Sequence, residues 1–178
     1  IKRGIFRDFP VRYQRPDGSM QTATFNVETV LRDGRAEDHH IERRGDYRRL
    51  YIGNRDRILK PGVYRYTIVY SSRRQLGHFT DHDELYWNVT GDQWAFPIEE
   101  AAATMHLPPG AAMMEQAAYI GPRGSTEAGA FVETQADGAV EFIARRRLSP
   151  GEGFTIVLSW PPGFVTRPSA AQAAVQHA

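Results

Sequence analysis

No cysteine occurs among the 178 residues, which excludes disulfide frameworks, thiolate zinc sites and cysteine nucleophiles together. Lysine is nearly missing too: Lys2 and Lys60 stand against 20 arginines, a bias that genome composition produces as readily as selection for forked hydrogen bonds. Long apolar runs are absent. Stretches such as Ala101–Ala103 and Ile156–Leu158 fall far short of the roughly 20 residues that cross a bilayer as a helix. No apolar segment follows a basic leader and the chain starts at Ile1, so no signal peptide is legible and an excised domain is expected. A strong charge of one sign is lacking as well. The formal net charge is +1, which argues against a nucleic-acid partner, whose binders pair a basic balance with clustered Lys and Arg. The layout is nonetheless uneven: residues 1–80 carry 17 basic and 9 acidic side chains, whereas 81–100 carry six acids and no Lys or Arg.

What is present reads as β structure. Apolar residues make up 41% and charged residues 24%, close to globular averages. Apolar residues recur at every second position. Phe25, Val27, Thr29 and Leu31 share one face by this count, as do Tyr64, Tyr66, Ile68 and Tyr70. Near the end, Val140, Phe142 and Ala144 alternate with Glu141, Ile143 and Arg145, and Phe154, Ile156, Leu158 and Trp160 alternate with Thr155, Val157 and Ser159. Turn chemistry separates the runs at Pro16-Asp17-Gly18, Asp33-Gly34, Gly53-Asn54, Pro61-Gly62, Thr90-Gly91-Asp92, Pro108-Pro109-Gly110, Asp137-Gly138 and Ser149-Pro150-Gly151. Such spacing predicts an all-β, antiparallel β-sandwich, immunoglobulin-like or jelly-roll-like, over residues 1–165. Little helix fits, and only at Ala111–Ala118 or in the tail. Residues 166–178, rich in Ala, read as a tail or stalk.

The densest polar and aromatic segment runs from His78 to Trp94. His78 and His82 are four apart, a spacing for zinc on a helix, but the context is β. Asp81, Asp83 and Glu84 offer oxygen ligands without the loop of an EF-hand, so His78, Asp81 and His82 are only weak metal candidates. Asp83, Glu84, Tyr86, Trp87, Asn88 and Trp94 form the candidate binding set, because aromatic rings beside Asn and acids can stack and hydrogen-bond a sugar or a peptide end. The plainer account competes with it: the Trp residues are core, and the acids cap backbone groups and pair with the Arg-rich first half. Alternation places Leu85 and Trp87 on one face and Tyr86 and Asn88 on the other.

No catalytic constellation emerges. Carboxylate pairs for glycoside hydrolysis can be nominated from Asp81, Asp83, Glu84, Glu99 and Glu100, but that chemistry needs a fixed separation across a cleft. Gly-x-Ser-x-Gly is missing, and Ser125 has no identifiable base. Phosphate-binding glycine loops are missing too, and no cofactor is implied. Arg44-Gly45-Asp46 reads as a charged turn, and His39-His40 as an exposed loop after Asp33-Gly34. Asn88-Val89-Thr90 is a sequon by spelling, and His82-Asp83-Glu84-Leu85 an internal copy of a C-terminal retention signal.

Several blocks together resemble a known family. Arg3-Gly4-Ile5-Phe6-Arg7-Asp8-Phe9-Pro10, Tyr51-Ile52-Gly53, Pro61-Gly62 before Tyr66-Thr67-Ile68-Val69-Tyr70, Asp83 to Gly91, Trp94 with Pro97-Ile98, and Pro150-Gly151-Glu152-Gly153 before Trp160-Pro161 are similar, in order, to the exported domain of the YciQ-like bacterial predicted membrane proteins. The resemblance implies a domain on the extracytoplasmic side of the bacterial cytoplasmic membrane, in the periplasm or outside the cell. It also implies further N-terminal sequence before Ile1 and a transmembrane part beyond residues 166–178, which is the expected route to the membrane. It supplies no catalytic residues. The expected task is binding or interaction with a cell-envelope component or a protein partner. The alternative is a structural ectodomain that positions or oligomerises the membrane part, and an envelope hydrolase ranks below both. Exposure of Trp87 and Trp94 separates the first two.

Overall fold

A computed structural model describes residues 3–14 and 20–167. The predicted turn at Pro16-Asp17-Gly18 and most of the 166–178 tail lie outside the described residues. No helix occurs among those described, and every strand pairing is antiparallel. The fold is described as two compact units that meet in sequence at Arg74 and Gln75.

The first unit holds β1 (Gly4–Pro10), β2 (Arg12–Gln14), β3 (Met20–Thr22), β4 (Asn26–Arg32), β5 (Arg35–Ala36), β6 (His39–Arg44), β7 (Tyr47–Gly53) and β8 (Tyr66–Ser71). They form sheets ordered β1-β7-β6, β5-β4-β8 and β2-β3. Its core joins two of these sheets: Phe9, Leu50 and Ile52 come from the first, and Val30 from the second, with Tyr66, Ile68 and Tyr70 packed against them. Period two thus places the β8 residues as expected. In β4 it fails halfway, because the pairing to β8 shifts between Val27 and Thr29. This bulge switches the inward parity, so Phe25 and Val27 pack on the core together with Val30, while Thr29 is exposed. Asp33 (φ 52°) and Gly34 (φ 79°) join β4 to β5 between the paired Arg32 and Arg35, the two-residue primed turn that such a pair favours.

The second unit holds β9 (Leu76–His78), β10 (Asp83–Asn88), β11 (Ala102–Met105), β12 (Gln116–Gly121), β13 (Ala130–Thr134), β14 (Val140–Ala144) and β15 (Gly153–Trp160). A four-stranded sheet, β12-β15-β10-β9, and a three-stranded sheet, β11-β14-β13, supply one core: Ala118, Ile120, Phe154, Ile156 and Leu158 from the first, Val140 and Phe142 from the second. The predicted alternation holds in β14 and through Leu158 of β15, whereas Ser159, expected on the outer face, is buried beside Trp160. Ala111–Ala118 is not helical: residues 111–115 form a loop and Gln116 starts β12. Helix propensity loses there to pairing with the fully inserted β15. At the Asp137-Gly138 turn, Gln135 N–H donates to Ala139 O (2.7 Å) and Gly138 N–H to Gln135 O (2.9 Å), a longer loop than at Asp33-Gly34.

Two paired glycines close the first sheet. Gly4 and Gly53 lie opposite each other, and a Cβ at Gly53 (φ 129°) would stand 2.2 Å from the Arg3 carbonyl oxygen. Gly53→Ala is therefore expected to lower stability by about 1–3 kcal/mol, read as a lower urea midpoint at unchanged slope; an unchanged midpoint contradicts this packing.

Candidate functional site

Strand β10 carries most of the candidate residues and sorts them by face. Asp83, Leu85 and Trp87 point inward, opposite Trp160, Leu158 and Ile156 of β15, and Trp87 packs against the core. Glu84, Tyr86 and Asn88 take the other face. Tyr86 is 59% exposed, whereas the Asn88 side-chain oxygen accepts the Gly91 N–H at 2.8 Å and closes the turn that follows. The sequon asparagine is thereby committed to the fold.

Asp83 is the least expected of the set. Its residue is 0% exposed, yet it is an acid, and a buried carboxylate requires charged or donating neighbours. His78, directly opposite on β9, places Nδ1 2.6 Å from Asp83 Oδ1. Arg167, which lies beyond the end of β15, donates to the same oxygen through Nε (3.1 Å) and Nη2 (2.8 Å), and its Nη2 also donates to the His82 carbonyl (3.3 Å). Asp83 Oδ2 and the indole Nε1 of Trp160 have no hydrogen-bond partner among the described residues. They sit on paired residues, an acceptor and a donor that do not reach each other. This cluster joins β9, β10 and the segment after β15 in one charged knot. Sequence reasoning missed Arg167, which stands 84 positions from its partner in an ungrouped tail; no local pattern signals it.

Trp94, Asp81 and His82 have local partners. Trp94 is partly buried, donates from Nε1 to Thr90 O at 2.7 Å and leans on Phe96, with ring centroids 5.2 Å apart. Gly151 N–H donates to its carbonyl (3.0 Å), which ties it to the turn at residues 149–152. There Arg146 bridges Glu152 (2.7 Å) and Glu127 (3.2 Å), and Glu152 also accepts the Ser149 N–H (2.7 Å). Arg146 first, and Ser149 second, hold the Glu152 carboxyl well below its usual range, at about 2. Asp81 pairs with His82 (2.8 Å), whose hydrogen bond holds the Asp81 pKa down, and the His82 ring stacks on Phe79. His78 and His82 thus have separate carboxylate partners. No group of three or more His, Asp or Glu among the described residues is placed to hold a metal.

Asp83 draws on His78 and Arg167, and Glu99 on Arg147 (3.0 Å), all in the second unit. The arginines of the first unit answer acids of their own: Arg49 is bidentate to Asp8 at 2.7 Å, and buried Glu37 takes both Arg32 and Arg57. His39-His40 opens strand β6 instead of lying in a loop, with the His40 ring stacked on Tyr51. Arg44-Gly45-Asp46 is the β6–β7 turn, with Gly45 at φ 57°.

These features define an all-β domain whose best-formed polar centre is a structural ion-pair cluster. The family model described as the predicted membrane protein (DUF2207) N-terminal domain matches residues 1–160, and the chain belongs to that family. It is 30% identical over 175 residues to "Uncharacterized protein YciQ" of Escherichia coli (strain K12), covering 97% of this chain and 27% of that protein. The chain thus spans about a quarter of that relative's length. No solved structure matches. No helix of the described residues is long and apolar enough to cross a membrane.

Asp83→Asn is expected to cost about 3 kcal/mol, because the fold loses the buried charge that pairs with Arg167; urea unfolding at neutral pH checks this, and a loss under about 0.5 kcal/mol contradicts it. Glu152 gives a second test. Its folded pKa of about 2 lies below the ordinary 4.5, so its stabilising contribution is present above pH 4.5 and is lost as pH falls toward about 2. Glu152→Gln should flatten the stability profile in that window, and a profile as steep as the parent's would assign the acid sensitivity to other groups.

Proposed function

We propose that this chain is a structural ectodomain of a membrane protein, a folded β unit outside the bilayer that fixes the path of the chain toward the membrane-embedded part. The observation that carries the reading is the Asp83–Arg167 ion pair. A fully buried carboxylate on β10 clamps the first residues after the last strand, so the exit segment is held in place by a charge that cannot be solvated where it sits. The inward packing of Trp87 and the internal bonds of Trp94 and Asn88 fit this better than a stacking platform, which needs exposed rings. Placement on the extracytoplasmic side of a bacterial cytoplasmic membrane belongs to the same proposal; family membership supports its association with a membrane protein, and the side is the expectation drawn from the resemblance.

One observation favours recognition of a cell-envelope component instead: Tyr86 is 59% exposed on the outer face of β10, in line with Glu84. A thermal-shift screen against peptidoglycan fragments and oligosaccharides addresses it. A shift of several degrees that disappears in Tyr86→Ala would favour the recognition module. The structural reading predicts a flat response.

Because the chain has no cysteine, a single spin label at Thr166→Cys reports the clamp directly. The label should be immobilised in the parent and mobile in Asp83→Asn; equal mobility in both would sink the clamp.

A further inference from the structure

We propose that the surface formed by Pro108–Met114 and Pro161–Val165 is a lipid-contacting face that seats the second unit on the membrane surface. This deepens the reading above and rests on it, since the domain must stand beside a membrane. From Leu107 to Met114 the chain reads Leu-Pro-Pro-Gly-Ala-Ala-Met-Met, eight residues without one polar side chain, and Pro161 to Val165 adds five more. The two segments touch: the Phe164 ring lies against Gly110, where a Cβ would stand 3.6 Å from Phe164 Cε1. Leu107 turns inward onto the core. Met113 (38%), Met114 (49%) and Phe164 (42%) instead face outward.

The loop is held in this posture. Ala111 N–H donates to Pro108 O (2.9 Å), and Met114 N–H to Ser159 O (2.9 Å) near the end of β15, so the methionines are presented by a tethered backbone. A protein partner selected through directional hydrogen bonds finds no side-chain donor or acceptor in these two segments, whereas an acyl-chain boundary needs none. Flexible Met and a single Phe suit a disordered apolar partner. Position supplies the remaining argument. The match to the family model, described as the N-terminal domain of a predicted membrane protein, runs to residue 160, so Pro161–Val165 follows directly on the matched part, on the side of the chain that leads toward the rest of such a protein. The Arg167 clamp follows two residues after Val165, which fixes that passage beside the face.

The test again exploits the absence of cysteine. An environment-sensitive fluorophore is placed at Met113→Cys, and separately at Thr126→Cys, an exposed position after the opposite end of β12. Both chains are mixed with vesicles of phosphatidylcholine and phosphatidylglycerol. The emission at position 113 should shift to the blue and that at 126 should not. A chain with Met113→Ser, Met114→Ser and Phe164→Ser should lose about tenfold in vesicle co-flotation while keeping its unfolding midpoint. Silence at position 113, equal responses at both positions, or unchanged flotation of the triple variant would overturn the inference. So would a response that grows with protein concentration without vesicles, which would assign the face to a second copy of the chain. The Thr166 label separates the two proposals: a vesicle failure with an immobile label removes the lipid contact alone.

Discussion

A carboxylate with no exposure must find a counter-charge and hydrogen-bond partners within a few ångströms, and the arrangement of the second unit follows from how Asp83 does so. Removing a carboxylate from water costs several kcal/mol even after relaxation, so strand β10 can sit where it does only with His78 on one side and Arg167 above the same oxygen. His78 arrives through the β9–β10 hairpin. Arg167 arrives only after β15 has ended at Trp160 and the chain has passed the turn at residues 162–163. The ion pair therefore couples the first hairpin of the unit to its last described residues. Trp160, paired with Asp83 and almost fully buried, covers the cluster from the neighbouring strand.

Elsewhere the charges are used locally. Glu37 gathers Arg32 and Arg57, Asp8 grips Arg49, and Arg146 joins Glu127 to Glu152. Each links segments that are neighbours in the sheet or in an adjoining turn. Arginine suits these junctions because one planar fork can meet two acceptors, as it does at Asp8. Several of the chain's 20 arginines thus serve as paired junctions within the fold.

How much of this was legible in the sequence depends on distance along the chain. The inward faces of β8, β14 and β15 follow from period two, and the turn at Asp33-Gly34 from the two positive φ angles it requires. The bulge at Val27–Thr29 did not follow, because a bulge inserts one residue without altering composition. Ala111–Ala118 misled through propensity: its alanines favour helix in isolation, but β15 needs a partner on that edge. The division at Arg74 carries no Gly, Pro or Ser-rich linker signature beyond Ser71-Ser72. In the candidate site, the split of Trp87 from Tyr86 was readable from alternation. The burial of Asp83 and its pairing with Arg167 were not, since they depend on a contact between distant positions.

If the clamp sets the exit path and the apolar face sets what that path meets, the unit is built to hold the chain at one orientation beside a bilayer. The clamp is the part on which the rest stands, and a double-mutant cycle of Asp83→Asn and Arg167→Ala measures it most directly. The account predicts a coupling of about 1–3 kcal/mol between the two positions, with the double variant no less stable than the worse single. Additive losses would mean that the two side chains share no energy, and the clamp would be contradicted.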